Sequence, residues 1–203
     1  MSKVDLKKDL THLYNPSAKE VSVVDVPTMN FLMVDGSGDP NVSLEYQQTM
    51  EALFTLSYAL KFRVKKSTGV DYAVMPLEGL WWTDDPSQFN MSNKAIWKWT
   101  AMIMQPEYVA AEMVAKALEE ITEKKVLPAL ERVRFKSYHE SLSAQIMHIG
   151  PYAAEEPTIA RLHSFIRESG YELNGKHHEI YLSDPRRMAA EKLKTVLRQP
   201  IRK

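Results

Sequence analysis

Apolar residues in the first half of the chain follow first a helical and then a strand spacing. Leu6, Leu10 and Leu13 recur at helical intervals, which predicts a short amphipathic helix. A longer apolar stripe from Tyr46 to Val64 predicts a second helix, and β-branched runs predict strands on both sides of it. In chain order the predicted elements are the short helix, strands over 20–26 and 29–34, a glycine turn over 36–40, the long helix, and strands over 72–77 and 96–104.

The second half carries a similar order of elements. Pro106 and Glu107 are the proline and first-turn acid of a helix start, and Gly170 ends a later helix. The pair Asp184-Pro185 is typical of a helix cap, and predicts a short basic helix that ends near Leu197. The strands predicted in this half lie over 132–138, 142–149 and 177–182.

The order of elements indicates an internal repeat. Residues 33–36 align with 147–150, and residues 69–74 align with 175–180. Two similar units can pair with pseudo-symmetry, and this joins their sheets over a concave face between the helices. We therefore expect one domain over 1–203. Its predicted parts are a helical arm over 1–18, a first repeat over 19–105, and a second repeat over 106–203 with a C-terminal helix.

Composition and charge narrow the classes of function. Lys plus Arg and Asp plus Glu number 26 each, so no net charge attracts nucleic acid or an anionic membrane. The chain has no cysteine, which excludes disulfides, thiolate nucleophiles and cysteine-based metal sites. The first residues lack the apolar core of a signal peptide, so we expect a cytoplasmic protein without membrane partners. The basic C-terminal residues are interpreted as a solvated helix face.

Several catalytic and metal-binding motifs are missing or incomplete. Gly36-Ser37-Gly38 is interpreted as an ordinary turn, because the third glycine of a dinucleotide-binding loop is absent. The sequence has neither a G-x-S-x-G elbow nor an H-E-x-x-H helix. His177, His178 and Glu179 are consecutive in a predicted strand, so their side chains alternate between faces and cannot converge on one metal ion. We expect no metal and no cofactor.

Glu179 is the most informative polar residue. Ile180 and Leu182 share one face of the predicted strand, which we expect to be buried under the helices. Glu179 then lies with His177 and Tyr181 on the opposite, concave face. If that face is also covered, the carboxylate is paired, protonated or functional, and the alternative is an exposed sheet edge.

The tryptophans supply a second element of a candidate site. Trp81 and Trp82 end one predicted strand, while Trp97 and Trp99 share a face of the next. An aromatic wall opposite a carboxylate is typical of a site for a flat, lipophilic and in some cases cationic ligand. Core packing of the tryptophans is the alternative.

The order of several motifs resembles the GyrI-like small-molecule-binding family. Its terminal signature is similar to the run over 175–185, in which Glu179 precedes Ile180-Tyr181-Leu182 and Asp184-Pro185. Gly150-Pro151-Tyr152 resembles the second half of the family, and Trp97-Lys98-Trp99 resembles its longer stand-alone branch. The resemblance covers nearly the whole chain. It implies an α+β fold in which duplicated strand–helix–strand–strand modules form a pseudo-symmetric antiparallel sheet, with helices on one side and a ligand cleft between the repeats.

The resemblance also implies a function. Some stand-alone relatives hydrolyse the cyclopropane of DNA-alkylating cyclopropanoid natural products. In such a reaction Glu179, which would have a raised affinity for protons in an apolar site, would act as the general base. Tyr181 would stabilise an oxyanion on the ligand. The alternatives are a sequestering protein for cationic lipophilic compounds and, less favoured, an adaptor that inhibits a partner protein. No segment is left for a helix-turn-helix, so a DNA-binding regulator is not expected. The sequence is compatible with both a monomer and a homodimer. The candidate residues are Glu179 and Tyr181 for catalysis, and Trp82, Trp97, Trp99, His148, Tyr152 and His177 for binding an aromatic small molecule.

Overall fold

The computed structural model describes residues 2–89 and 93–203 and combines five α-helices with eleven strands in that part of the chain. The helices are α1 (Leu6–Asp9), α2 (Thr11–Tyr14), α3 (Leu44–Thr68), α4 (Ala111–Thr122) and α5 (Glu156–Glu168). The strands are β1 (Ser2–Val4), β2 (Ser22–Val26), β3 (Met29–Ser37), β4 (Val70–Tyr72), β5 (Leu77–Trp82), β6 (Lys98–Gln105), β7 (Arg134–Tyr138), β8 (Ser141–Ile149), β9 (Glu172–Leu173), β10 (His177–Tyr181) and β11 (Lys194–Arg202).

Most strands form one antiparallel sheet. Its order within the described residues is β2-β8-β11-β10-β5-β6-β3-β7, and β9 pairs with the end of β11. The short strands β1 and β4 form a separate parallel pair that attaches the N-terminus to the end of α3. The predicted α+β class with a large antiparallel sheet is confirmed.

The sheet is built from two modules that meet at its centre. The first module is β3-α3-β5-β6 and the second is β8-α5-β10-β11, so each has the predicted strand–helix–strand–strand order. β5 and β10 join the modules, with Gly79 directly opposite Glu179. The edge strands are exchanged between the modules. β2 precedes the first module but pairs with β8, and β7 precedes the second but pairs with β3.

Helix α3 forms the main cover of the first module. Its N-terminus is capped by the hydroxyl of Ser43, which accepts a hydrogen bond of 3.2 Å from the backbone N–H of Tyr46. It ends at Gly69, whose φ of 75° is in the left-handed region that glycine adopts without strain. The buried face of α3 packs on β3 and β6, and Tyr46 stands edge-on to Trp99 with ring centroids 5.0 Å apart.

The C-terminal segment corrects the sequence prediction. The basic helix expected after Asp184-Pro185 is wrong, because Lys194–Arg202 is a strand between β8 and β10. Asp184 caps only a turn, in which its Oδ1 accepts from the backbone N–H of Arg186 at 3.0 Å. Thr195 and Val196 are β-branched and favour an extended backbone, and sheet pairing on both sides overrides the cap signal. The strand predicted over 72–77 is also displaced, since β4 ends at Tyr72 and β5 begins at Leu77.

The two faces of the sheet are covered by different parts of the chain. Helix α3 packs on the sheet face that carries Trp99. Helix α5 packs on the same face of the sheet, against Leu197, whose partner on β10 is Glu179. The face of Ile180 is covered instead by the N-terminal arm, where the hydroxyl of Tyr14 donates to Glu78 at 2.8 Å. The expectation that the Ile180 face lies under the main helices is therefore wrong. Both faces are buried, so alternation alone does not identify the helical side. Within the described ranges, no helix has both the length and the apolar character needed to cross a membrane.

Candidate functional site

A cleft of about 1120 Å³ opens on the helical face, where the two modules meet. One wall is the side of α3 that carries Tyr46, Met50, Phe54 and Tyr58. The floor is formed by β5 and β10, and the far side by the turn before α5 and residues 182–186. The cleft therefore receives side chains from both modules, and its volume is that of a site for a drug-sized molecule.

Glu179 lies at the floor of the cleft and is only 6% exposed. The hydroxyl of Tyr181 donates to its Oε2 at 2.6 Å, and the indole N–H of Trp81 donates to the Tyr181 oxygen at 3.1 Å. These two bonds form a chain from β5 to β10 that fixes the orientation of the carboxylate. One of its oxygens is thereby held against β10, while Oε1 lies 3.4 Å from Nε2 of His177.

Gly79 makes room for this hydrogen-bond chain. A Cβ at position 79 would lie 2.6 Å from Nε1 of Trp81 and 3.0 Å from Cζ2, both well inside van der Waals contact. The indole of Trp81 therefore lies over a backbone position that only glycine leaves open. This explains a glycine in the middle of a central strand directly opposite the carboxylate.

Glu179 stays ionised although it is buried. Burial by itself would raise the pKa of its carboxyl group, but the nearby His177, the hydrogen bond from Tyr181 and the charge of Lys94 lower that pKa below its usual value. The expectation of a raised proton affinity at Glu179 is therefore wrong. The positive and hydrogen-bonding groups around it outweigh the cost of its desolvation.

A second carboxyl group, Glu155, lines the same cleft and is 1% exposed. It lies at the turn that leads into α5. Burial raises the pKa of Glu155 far above its usual range, and the negative charge of Glu179 raises it further. The opposite shifts predict one ionised and one protonated carboxyl group in the cleft at neutral pH.

Aromatic side chains surround these carboxyl groups. The rings of Trp81 and Trp97 lie 5.5 Å apart, and Tyr152 meets Tyr181 edge-on at 5.5 Å. Behind the cleft, Phe89 stacks on Trp97 with ring centroids 4.9 Å apart. Flat faces held in fixed positions are suited to stacking a planar ligand.

Four of the candidate residues from the sequence analysis line the cleft, and four do not. Glu179, Tyr181, Trp97 and Tyr152 are on its surface. Trp99 is 0% exposed and lies in the core, where the missing side chain of Gly36 gives its ring space. Trp82 projects from the other face of β5, and the ammonium of Lys176 lies 3.3 Å from the centre of its ring.

The two candidate histidines lie behind the cleft surface. His177 is buried beside Glu179. His148 is buried on β8, with Nδ1 3.0 Å from the hydroxyl of Thr158 and Nε2 3.3 Å from the carbonyl oxygen of Pro151. Neither ring lines the cleft.

Several cleft residues were not selected from the sequence. Glu155 precedes a helix, so its carboxyl group has the pattern of an ordinary first-turn acid. Tyr46 is one of several apolar positions along α3, and Lys94 lies in a polar loop. Trp81 carried a usable signal, because strand alternation places it on the face opposite Trp82. Among residues 2–89 and 93–203, no group of three or more His, Asp or Glu side chains is arranged to hold a metal ion.

Comparisons with known proteins identify the family. No functionally curated protein matches the chain. A solved structure of an uncharacterised conserved protein from Listeria innocua is 37% identical, has a TM-score of 0.90, and aligns over 98% of this chain and 100% of that one. A hydrolase from Listeria innocua is 36% identical, with a TM-score of 0.88 over 99% and 100%.

A more distant structure shares the fold. The C-terminal domain of EcmrR is 10% identical, with a TM-score of 0.53 over 91% of this chain and 98% of that one. Residues 19–202 match the GyrI-like small-molecule-binding domain. That match spans both modules and every residue of the cleft floor, and the protein belongs to the GyrI-like small-molecule-binding family.

Proposed function

We propose that the protein binds lipophilic, planar aromatic small molecules in the cleft and detoxifies them by hydrolysis. The proposed reaction opens the strained cyclopropane of DNA-alkylating cyclopropanoid natural products. The observation that carries this proposal is the pair of buried carboxyl groups, Glu179 and Glu155, that line one aromatic cleft. Their surroundings shift the pKa of Glu179 down and that of Glu155 up. The similarity to a hydrolase from Listeria innocua over almost the full chain supports the same class of activity.

Binding would use the flat rings around the cleft. A planar ligand would lie against Tyr58 and Tyr152. It would reach Trp97 and Trp81 deeper in the cleft, where each ring is 2% exposed. Its entry displaces water from an apolar wall, which gives the hydrophobic part of the binding energy. It also isolates the carboxyl groups from bulk solvent, and in the resulting low-dielectric site the charge of Glu179 acts more strongly.

The chemistry requires one base and one acid. Glu179, which is ionised, accepts a proton from a water molecule as the water oxygen bonds to a cyclopropane carbon. The strained C–C bond breaks, and its electron pair moves to a conjugated oxygen of the ligand. Glu155, which is protonated, donates its proton to that oxygen. The product is the ligand plus one water, and exchange with solvent returns both carboxyl groups to their starting states.

Tyr181 has a different role in this proposal from the one expected from the sequence. Its single hydroxyl proton is donated to Glu179, and its oxygen accepts from Trp81. It is therefore a positioning residue that fixes the base, and Glu155 supplies the proton to the developing oxyanion.

The test is to incubate the purified protein with a planar cyclopropane-containing electrophile and follow the ligand by mass spectrometry. We expect a gain of one water that depends on time and enzyme concentration. The Glu179→Gln variant, which keeps the shape of the side chain but removes the base, is the matched control. Tight binding with unchanged ligand mass in the wild-type protein would contradict the hydrolase proposal.

One observation favours a second function. Glu179 remains ionised in a buried aromatic site, and such a site attracts lipophilic cations through both its charge and its ring faces. A protein that sequesters cationic drugs without turnover is the alternative. It predicts that Glu179→Gln weakens the binding of cations and that no ligand is consumed.

A further inference from the structure

Lys94 shares the interior of the cleft with the two carboxyl groups. It begins the short helical turn that ends at Trp97, and its ammonium nitrogen lies 5.1 Å from the centre of the Trp97 ring. The side chain is half-buried and lines the cleft. Its positive charge acts on both Glu179 and Glu155. The face of Trp97 that would attract a cationic ligand therefore already has a cation beside it.

The other charges around the cleft oppose the attraction of a cation to Glu179. Four cationic side chains line it in the described part of the chain, Lys7, Lys94, Lys125 and Arg186. Since Glu155 is protonated, the anionic side chains that line it there are Glu51, Glu179 and Asp184. Asp184 is paired with Arg186 at 2.9 Å, and the remaining charged residues Lys7, Glu51 and Lys125 are exposed. In the interior, the charge of Lys94 therefore offsets that of Glu179.

We infer that Lys94 is a specificity-determining residue that makes the cleft select neutral or anionic planar aromatic ligands over lipophilic cations. This inference rests on the proposed function, because it assumes that the cleft is the ligand site. A cationic ligand in the interior of the cleft must lie close to the Lys94 ammonium. This repulsion and the cost of taking the cation out of water together outweigh its attraction to Glu179. A neutral ring system is free of that repulsion, and an anionic substituent gains from Lys94. Neutral electrophiles are thus the substrate class that the charge pattern fits.

The test compares three probes of the same size and shape that differ in charge. Acridine is neutral at mildly alkaline pH, N-methylacridinium is a cation, and anthracene-9-carboxylate is an anion. Their dissociation constants are measured by equilibrium dialysis with the wild-type protein and with Lys94→Met, which keeps the aliphatic stem and removes the charge. We expect the wild type to bind the cation about tenfold more weakly than acridine.

In Lys94→Met, affinity for the cation should rise about tenfold and affinity for the anion should fall, while acridine changes little. Lys192→Met removes the same charge from an exposed position outside the cleft and should leave all three constants unchanged. If Lys94→Met fails to fold by circular dichroism, Lys94→Gln replaces it.

Two results separate failure of this inference from failure of the proposed function. If the wild type binds N-methylacridinium as tightly as acridine, or if the folded Lys94 variant keeps the wild-type ranking, the role of Lys94 is overturned while the cleft remains a ligand site. If none of the three probes binds, and the cyclopropane-containing electrophile is also unchanged, both proposals are overturned.

Discussion

His178 and Glu179 are neighbours in β10, and their side chains project from opposite faces of the sheet. Behind the cleft floor, the imidazole of His178 lies 2.9 Å from carboxylate oxygens of both Glu78 and Glu140. Arg198 contacts Glu140 at 3.1 Å and donates to the carbonyl oxygen of Leu13 in the N-terminal arm. One strand thus supplies the proposed base on one side and a buried ion-pair network on the other.

This network predicts how stability depends on pH. Burial disfavours the charged imidazole, but the charges of Glu140 and Glu78 outweigh it and raise the pKa of His178 to about 9. The unfolded value is 6.5, so the stabilisation is complete below pH 6.5 and is lost as the pH rises through 9. Its size is on the order of 3 kcal/mol. The pKa of Glu140 is lowered to about 2, since His178 and Arg198 outweigh its burial, and its contribution is lost as the pH falls below 4.5.

Chemical denaturation at a series of pH values checks this dependence. The contribution of this network should be highest between pH 4.5 and 6.5 and decline on either side. In His178→Gln the alkaline decline should become shallower, because the part due to His178 is lost while the part due to the raised pKa of Glu155 remains. A wild-type protein whose stability is constant from pH 6 to about 10 would argue against a charged His178.

Glu179→Gln should lower the rate of ligand hydrolysis by roughly 10²–10⁴-fold, the usual effect of removing an acid–base group. The affinity for a neutral planar substrate should barely change, because glutamine has nearly the same shape. Single-turnover rates and dissociation constants measured on the same variant separate the two quantities. Full hydrolytic activity in this variant would show that another residue is the base.

Glu155→Gln should change the pH profile of hydrolysis. Activity requires Glu155 to be protonated, and its pKa is raised by burial and by Glu179, so the wild-type rate should fall on the alkaline side as this proton is lost. The variant should be slower and should lack that alkaline decline. Glu156→Gln, one position along the chain at an exposed site, is the matched control and should keep the wild-type profile.

Trp97→Ala and Trp99→Ala should differ in their effect on ligand binding. Trp97 lines the cleft but is only 2% exposed, so its loss should destabilise the fold and also weaken binding of a planar ligand by about 1–3 kcal/mol. Trp99 lies in the core against Tyr46, so its loss should destabilise the fold by about 3–5 kcal/mol. Titration with ligand and urea denaturation measure the two quantities. Ligand-dependent fluorescence that is lost only in the Trp99 variant would reverse the assignment.

Gly79→Ala tests the hydrogen-bond chain to the base. The added methyl group would collide with the indole of Trp81, which must move and give up its bond to Tyr181. We expect roughly 10–100-fold slower hydrolysis, because a displaced positioning group misaligns the base. Gly38→Ala is the comparison for backbone strain alone. Its φ of 93° strains an alanine, but the position has open space around it and lies outside the cleft, so this change should lower stability without slowing hydrolysis. Unchanged kinetics in Gly79→Ala would remove Trp81 from the positioning of Glu179.

Sequence patterns predicted the modules because their elements are marked by strong local signals. Gly69 and Gly170 both end helices in the left-handed conformation, near the positions expected from the sequence. The last strand was not predicted because only its tertiary contacts mark it as a strand. Lys194–Arg202 is covered on both faces and paired on both sides, so no alternation of polar and apolar residues marks it as a strand.

The site was predictable only in part. Alternation around Glu179 correctly places it with His177 and Tyr181 on one face. The same argument could not tell that the chain covers both faces of the sheet. The partnership of Glu155 with Glu179 is also invisible in the sequence, because it depends on how the turn before α5 meets β10 in space.

The exchanged edge strands affect how a ligand enters. Ser22 in β2 pairs with Gln145 in the other module, and Met29 in β3 pairs with Tyr138 in β7. The halves are interlocked in the manner of a domain-swapped dimer joined into one chain, and a half expressed alone would leave a bare strand edge open to aggregation. A hinge between the halves would have to break two outer ladders as well as the central one. A ligand therefore enters the cleft by movement of side chains and loops at its rim, and not by a hinge motion between the two modules.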